Sequence, residues 1–212
     1  MKKLTFFFLL PLLLMACTNE KLSNSAEVPS TSEERDDTVS SKNPNLHDFF
    51  MQDGSIAHFQ GDGNEYATYT SRTKWLDERH VNVYEDNGGV EMLRTYRLGD
   101  NKIELLQEEP SDTEGISTTL QAIQNLKPLR TYLEFPLEKG ATFDEWAVIA
   151  TDADLETPLQ SFQDVIIIER TFDDGAISRV YFAVGFGEIK REYVANEGGH
   201  EFKVTSVIQQ IE

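Results

Sequence analysis

Short apolar runs separated by turn residues recur along most of the chain. At Tyr66–Ser71 and Val81–Tyr84, polar and apolar side chains alternate, which is typical of strands with one buried face. Between Val81–Tyr84 and Val90–Leu98 stand Asn87 and Gly88, and both tolerate the positive φ angles of a two-residue hairpin turn. The pattern therefore predicts a hairpin here, and a second hairpin at the Gly-Asp-Asn turn that follows.

The C-terminal part of the chain repeats this pattern. Further strands are predicted at Val165–Ile168, Ile177–Val184, Phe186–Val194 and Phe202–Ile211. Turn residues at 173–175 and 196–199 separate them, while Gly185 and Gly187 indicate a bulge or sharp bend within a strand. We therefore expect a mainly β or α+β single domain, built on a twisted antiparallel sheet of consecutive hairpins with little helix.

The middle of the chain is less regular. The stretch Thr118–Lys127 predicts either a short helix, with Leu120 and Ile123 on one face, or irregular chain leading into a strand. Leu129–Phe135 alternates weakly, and Trp146–Thr151 is a further strand candidate.

The N-terminus has the pattern of a secretory signal. Lys2 and Lys3 precede an apolar run at Leu4–Met15. This run is too short to span a bilayer, which takes about 20 apolar residues. Residues 1–16 are therefore predicted to be a signal peptide rather than a transmembrane helix.

The end of the signal resembles the lipobox of bacterial lipoproteins, through Leu14, Met15, Ala16 and Cys17. The resemblance implies that Cys17 becomes the lipidated first residue of the mature chain, carrying a covalent diacylglycerol. Two acyl chains are what stable membrane attachment requires. We therefore expect a lipid-anchored protein at the cell membrane, facing the extracytoplasmic side.

A change of composition separates a tether from the body of the protein. Residues 17–45 contain no aromatic residue and many Ser and Thr, so this stretch, which begins with the lipidated Cys17, is predicted to be disordered. Residues 46–212 are enough for one β-rich domain with its own core. Since Cys17 is the sole Cys, an internal disulfide framework and a Cys-rich zinc site are excluded.

The charge of the chain limits its partners. It has 19 basic and 37 acidic residues, a net charge of −18. Binding of nucleic acid depends on basic residues that displace cations from phosphates, so a nucleic-acid partner is not expected. The same charge disfavours adsorption to anionic lipid headgroups. Contact with the membrane is therefore assigned to the lipid anchor.

Motifs that carry chemistry are scarce. The four His residues form no HExxH pattern, and no G-x-S-x-G elbow or phosphate-binding loop is present, so no catalytic residue and no cofactor is predicted. Asp152, Asp154 and Glu156 are spaced two apart and could share a face as oxygen ligands for Ca²⁺. Because no calcium-loop pattern surrounds them, a solvated loop is the better interpretation.

Several segments resemble a family of uncharacterised lipoproteins and exported proteins of Gram-positive bacteria. Their patterns PLxxGxxW, TPxGxFxDVI and YYAxGVGLIK match Pro136–Phe143, Thr157–Ile166 and Tyr181–Lys190, together with Gly61–Tyr66. The chain departs from these patterns at three positions: Phe143 in place of Trp, Gln160 in place of Gly, and Glu188 in place of an apolar residue. The resemblance implies a twisted, mostly antiparallel sheet and no activity.

These features favour a non-enzymatic module that binds or scaffolds an envelope protein or a glycan at the cell envelope. One alternative is a carrier that encloses an apolar ligand against a concave sheet, which requires a continuous apolar cavity of several hundred Å³. A second alternative is an envelope hydrolase with an unrecognised pair of carboxylates, which requires close, buried acids in a cleft.

The lipid anchor generates the first testable prediction. Replacing the lipidated residue, Cys17→Ala, is expected to release the protein from the membrane fraction, because the acidic body has no affinity of its own for anionic lipid. Cell fractionation, with mass spectrometry of the mature N-terminus, measures the effect. A processed Cys17→Ala protein that remained membrane-bound would contradict the anchor.

Overall fold

The computed structural model of the chain describes residues 45–212, which form one compact unit. The predicted signal peptide, the lipobox with Cys17 and nearly all of the predicted tether lie outside the described residues. Within residues 45–212, no helix is long and apolar enough to cross a membrane.

A single antiparallel sheet of twelve strands forms the body. The strands are β1 (Ile56–Asp62), β2 (Tyr69–Trp75), β3 (His80–Asp86), β4 (Glu91–Leu98), β5 (Lys102–Pro110), β6 (Arg130–Glu134), β7 (Thr142–Phe143), β8 (Trp146–Glu156), β9 (Ser161–Thr171), β10 (Ile177–Ala183), β11 (Gly187–Glu197) and β12 (His200–Ile211). Their order in the sheet is β6-β5-β4-β3-β2-β1-β12-β11-β10-β9-β8-β7. The expectation of a mainly β fold of consecutive antiparallel hairpins is confirmed.

The sheet curls until its two edges meet, and is nearly closed. The strands that come first and last in the sequence, β1 and β12, pair in the middle of the sheet, where Phe59 lies opposite Ile208. At the other side, the edge strands β6 and β7 come together without a backbone ladder. Here the Thr131 amide donates a hydrogen bond of 2.8 Å to Oδ2 of Asp144. One inner face of the sheet therefore surrounds the core.

The structure differs from the sequence-based expectation in two places and decides between two alternatives in a third. Gly185 belongs to the tight turn between β10 and β11, and Gly187 is the first residue of β11, so the two glycines flank a hairpin turn and do not bend a single strand. Of the two alternatives for the middle of the chain, the structure has the short helix: α1 spans Leu120–Ile123. The predicted solvated loop at Asp152–Glu156 is the second half of β8, because Ala153 and Leu155 alternate with the acids and pack against the core.

One end of the curled sheet is closed by the segment that precedes β1. We call Leu46–Met51, which begins with the 3₁₀ turn Leu46–Phe49, the plug segment. Phe49 is 1% exposed and packs edge-on against Phe135, with ring centroids 5.1 Å apart. The Gly185 amide donates a 2.7 Å hydrogen bond to the Asp48 carbonyl, which fixes the segment to the β10–β11 turn. We call the end of the sheet that the plug segment occupies the closed end.

The connection between β5 and β6 covers part of the outer face. The Gln107 side chain exchanges two hydrogen bonds with the backbone of Ser117, at 3.0 and 3.1 Å. Thr95 on β4 lies opposite Gln107, and Asn82 on β3 lies opposite Thr95. Thr95 and Asn82 are both fully buried, and the Thr95 hydroxyl donates a 2.8 Å hydrogen bond to Oδ1 of Asn82. The cover explains why polar residues on the outer face are buried here.

The plug segment generates a stability prediction at Gly187, whose φ is +74°. A Cβ at this position would lie 2.5 Å from the Phe49 carbonyl oxygen. Gly187→Ala is therefore expected to lower the free energy of unfolding by about 3 kcal/mol, since the backbone strain of about 1 kcal/mol is joined by a clash with the plug segment.

Gly185 in the same turn provides the matched control. Its φ is +86°, and an added Cβ would meet no atom within 4 Å. Gly185→Ala should therefore cost only the backbone strain, about 1 kcal/mol. Denaturant unfolding of both variants measures the difference, and equal losses would show that the plug segment does not press against Gly187.

Candidate functional site

Charged side chains lie on the inner face of the sheet, where an apolar core would ordinarily continue. On β3, Val81 and Val83 point into the core, so the two-residue period places Glu85 on the same inner face. On β4 and β5, Arg94 and Glu108 are direct cross-strand partners. The sheet therefore directs these three residues toward its own interior, in the half that lies away from the plug segment.

Six of these inward residues form what we call the inner ion cluster: Glu85, Arg94, Glu108, Arg130, Glu188 and Arg191. The cluster contains three acids and three arginines, so its formal charges balance. Its side chains are only partly exposed, from 12% for Glu85 to 46% for Arg130.

Arg191 connects opposite walls of the sheet. Its Nη1 donates to Oε2 of Glu85 at 2.8 Å, and its Nη2 donates to Oε2 of Glu188 at 3.2 Å. Glu85 lies 106 positions away in the sequence, on β3, whereas Glu188 and Arg191 both belong to β11. A guanidinium offers several donors in a fixed plane, which lets one arginine serve two carboxylates.

Arg94 extends the cluster toward the β6 edge. Its guanidinium pairs with Glu85, and its Nε donates to Oε1 of Glu108 at 2.7 Å. The second oxygen of Glu108, Oε2, lies 2.8 Å from Nη1 of Arg130 on β6. The Glu108 carboxylate is thus held between two arginines, one on each neighbouring strand.

Three tyrosines surround the cluster. The Tyr69 hydroxyl donates to Oε1 of Glu188 at 3.3 Å, and the rings of Tyr96 and Tyr132 lie 4.7 Å apart. Burial raises the pKa of all three phenols above the ordinary value, so they are neutral hydrogen-bond donors at physiological pH.

The two acids that share Arg191 have pKa values displaced in opposite directions. Burial acts to raise the pKa of Glu85, but the attraction of Arg191 and Arg94 outweighs it and lowers this pKa to about 2. For Glu188, burial together with the repulsion of Glu85 outweighs Arg191, so its pKa is raised. Glu85 is therefore the permanent anion of the pair, and Glu188 the weaker acid.

The end of the sheet opposite the plug segment is open, and two clefts enter it. The first, which we call the polar cleft, has a volume of about 330 Å³ and lies between the β1–β2 loop, the β3–β4 turn and β11. The second, the aromatic cleft, has a volume of about 250 Å³ and is walled by Tyr96, Tyr132, Trp146, Ile168 and Val180. Both clefts are lined by Arg94, Ser178 and Arg191, where they meet.

Between the clefts and the plug segment the interior is almost filled. The space there has a volume of only about 40 Å³ and is lined by Phe49, Phe50, Tyr96 and Tyr132, among others. The continuous apolar cavity of several hundred Å³ that an apolar carrier requires is not found in the part of the chain described. The larger spaces all have charged groups in their walls.

The acids proposed for calcium lie elsewhere. Asp152, Asp154 and Glu156 are exposed on one face of β8, as their spacing predicted, and Glu156 accepts a 2.6 Å hydrogen bond from Ser161. Among residues 45–212, no group of three His, Cys, Asp or Glu side chains lies close enough to hold a metal ion. The structure thus provides no calcium site at these residues.

A hydroxyl, an imidazole and a carboxylate stand in a row on the outer face. Nδ1 of His58 lies 3.3 Å from Oγ1 of Thr70, and its Nε2 lies 3.1 Å from Oε1 of Glu212. The order of groups is that of a nucleophile, a base and an orienting acid. The side chains of His58 and Glu212 are 37% and 56% exposed on a flat strand surface, which gives a substrate no enclosure.

Sequence reasoning missed the inner ion cluster. In a chain with 37 acids, any single carboxylate is weak evidence for a site. The available signal was the register: Glu85 continues the inward positions of Val81 and Val83, and a charged residue at a core position requires a partner. The partner, Arg191, could not be named, because it lies across the sheet.

Comparisons with known proteins show no family. No protein-family model and no curated protein matches the chain. Among solved structures, it is similar to a presumed exported protein with a YmcC-like fold from Bacteroides fragilis NCTC 9343, with 14% identity and a TM-score of 0.47. It is also similar to a presumed lipoprotein from Parabacteroides distasonis ATCC 8503, with 10% identity and a TM-score of 0.46. Each match covers 77% of this chain and 98% of the other, and at these scores neither carries an argument about function.

The inner ion cluster generates a pH-dependent stability prediction. Because the pKa of Glu85 falls from an ordinary 4.5 to about 2 on folding, its ion pairs stabilise the fold fully above pH 4.5. This contribution, about 3 kcal/mol, is lost as the pH falls from 4.5 to about 2. Glu85→Gln should therefore destabilise the protein at neutral pH by about 3 kcal/mol and flatten the acid side of its stability profile.

Glu104 is the matched control for Glu85. It has the same 12% side-chain exposure, but it pairs with Arg97 and Lys102 outside the inner ion cluster. Glu104→Gln should cost less than about 1 kcal/mol. Thermal unfolding of both variants is measured from neutral to acidic pH. If the two variants lost the same stability at every pH, Glu85 would not stabilise the fold through the inner ion cluster.

Proposed function

We propose that this protein is a lipid-anchored extracytoplasmic binding module, without catalytic activity, whose ligand enters the open end of the curled sheet. The location is supported by the signal pattern of residues 1–16 and by Cys17 at the end of the lipobox-like stretch.

The asymmetry between the two ends of the sheet carries the proposal. The plug segment fills the interior at the closed end, and a cleft of about 560 Å³ beside it, lined by Leu46, Arg79 and Asp100 among others, includes no residue of the inner ion cluster. The clefts of about 330 and 250 Å³ occupy the open end and meet at the inner ion cluster. Concave spaces with apolar walls and a few converging polar groups are the usual form of small-molecule sites. The predicted tether joins the body at residue 45, directly before the plug segment. It is therefore attached at the closed end and not at the open end.

The walls favour a polar or amphiphilic ligand over the fully apolar one of a carrier. The shared lining of the two clefts consists of Arg94, Ser178 and Arg191, and an apolar ligand would displace water from these groups without offering them a hydrogen bond. Two of the buried acids are poor candidates for catalysis, because arginines hold Glu85 and Glu108 as anions and lower their pKa values. An acid held in this way is a poor general base.

A blocking substitution at the junction of the clefts tests the proposal. Ser178→Trp should fill the space where the two clefts meet. The probes are the members of a chemically diverse fragment library that bind the wild-type protein, and the substitution should abolish their binding. Saturation-transfer NMR on the full chain in lipid nanodiscs, with empty nanodiscs as the blank, measures binding.

Gln60→Trp adds the same bulk on the exposed outer face of β1 and serves as the control. Fragment binding that is lost in Ser178→Trp and kept in Gln60→Trp supports a ligand at the open end. A wild-type protein that binds no fragment, or a Ser178→Trp protein that binds the same fragments, would overturn the proposal.

A further inference from the structure

The aromatic cleft is unusual in its charge. The chain as a whole has a net charge of −18, yet three arginines and two glutamates line this cleft. The arginines are Arg94, Arg130 and Arg191, and the glutamates are Glu108 and Glu188. These five side chains sum to one positive charge, and Glu85, which pairs with Arg94 and Arg191 from beside the cleft, brings the sum to zero. Three arginines that converge in an otherwise acidic protein favour an anionic ligand over a cationic one.

The geometry around Glu108 shows what kind of anion the arginines accept. Its two carboxylate oxygens lie 2.7 Å from Nε of Arg94 and 2.8 Å from Nη1 of Arg130. Two guanidinium groups thus converge on a single carboxylate at the wall of the cleft. Both arginines, together with burial, set the state of this acid: burial acts to raise the pKa of Glu108, and the arginines outweigh it and lower the value.

Glu108 is not locked in this position by burial. Its side chain is 25% exposed and that of Arg130 is 46% exposed, so both reach the solvent of the open end. A carboxylate from outside can therefore take the place of Glu108 between the arginines, while the Glu108 side chain turns toward water. The exchange replaces one pair of charge-assisted hydrogen bonds with another of the same kind.

The remaining walls select the body of the ligand. Trp146, Tyr132 and Ile168 offer aromatic and aliphatic surface within the same cleft. A volume of about 250 Å³ suits a small organic molecule rather than a polymer. Burial of the ligand's apolar body against these walls would add binding free energy, which favours the incoming acid over the Glu108 side chain.

We propose that the aromatic cleft binds a small organic acid, an apolar body bearing one carboxylate, which Arg94 and Arg130 hold in the place occupied by the Glu108 side chain. The inference rests on the proposed function, because it requires that a ligand enters the open end. It adds the chemical class of the ligand and identifies Glu108 as an internal competitor for the same arginines.

The experiment compares two probes that differ in one group. The probes are 3-phenylpropanoate and its neutral analogue 3-phenylpropan-1-ol, titrated into the full chain in lipid nanodiscs and followed by saturation-transfer NMR against empty nanodiscs. The wild-type protein should bind the carboxylate at least about tenfold more tightly than the alcohol. Arg130→Gln should reduce this preference about tenfold, with little loss of stability because the side chain is nearly half exposed.

Glu108→Gln supplies a readout that a purely structural role would not produce. Removing the competing carboxylate should tighten binding of 3-phenylpropanoate by about three- to tenfold and leave the alcohol unchanged. Arg97→Gln and Glu104→Gln are the controls. Arg97 and Glu104 form an ion pair between β4 and β5, as Arg94 and Glu108 do, but they lie outside the cleft. Both controls should bind the probes as the wild-type protein does.

The outcomes separate this inference from the proposed function. Equal affinity for acid and alcohol, or a Glu108→Gln protein that binds the acid no better, would overturn the organic-acid site. If the Ser178→Trp substitution still blocked fragment binding, the open end would remain a ligand site of another chemistry. If neither probe and no fragment bound, both proposals would fail.

Discussion

The ion pairs of Arg191 are the interaction on which the interior of this protein depends. Glu85 and Arg191 lie on strands that are separated in the sheet by β2, β1 and β12, so their contact spans the inside of the curl. An uncompensated charge inside a protein costs several kcal/mol, so each member of the group requires the others. The curvature that brings β3 opposite β11 and the presence of the charges are thus mutually dependent.

This arrangement divides the interior into two regions. Near the plug segment, aromatic rings such as Phe49, Phe135 and Phe182 fill the space. Beyond Arg191 the charged groups keep the interior in contact with water, because guanidinium and carboxylate groups lose too much solvation in a dry core. The clefts of the open end follow from this division, since side chains with several polar atoms cannot be surrounded by apolar groups on every side.

Local features of the fold could be predicted from the sequence, and non-local ones could not. Asn87 and Gly88 indicated the β3–β4 hairpin because turn chemistry is set within a few residues. The pairing of β1 with β12 joins segments at opposite ends of the body, and no local pattern encodes it. The candidate site suffers most from this limit, since Glu85 and Arg191 are brought together only by closure of the sheet. The glycines of the β10–β11 turn were misplaced for a related reason: the demand on Gly187 comes from the plug segment, which is distant in sequence.

The seam between β6 and β7 has a consequence for how the protein accommodates different molecules. Elsewhere, neighbouring strands are joined by ladders of backbone hydrogen bonds, whereas this seam is bridged by the side chain of Asp144. Thr131, whose amide donates to the Asp144 carboxylate, lines the aromatic cleft, and Trp146 follows Asp144 by two residues. The aromatic cleft therefore borders the one junction of the sheet, as residues 45–212 form it, that can widen without breaking a backbone ladder. Of the sides of the aromatic cleft that the described residues form, only the one at this seam lacks a backbone ladder, and it is the side at which bulkier members of the proposed class of ligand would be accommodated.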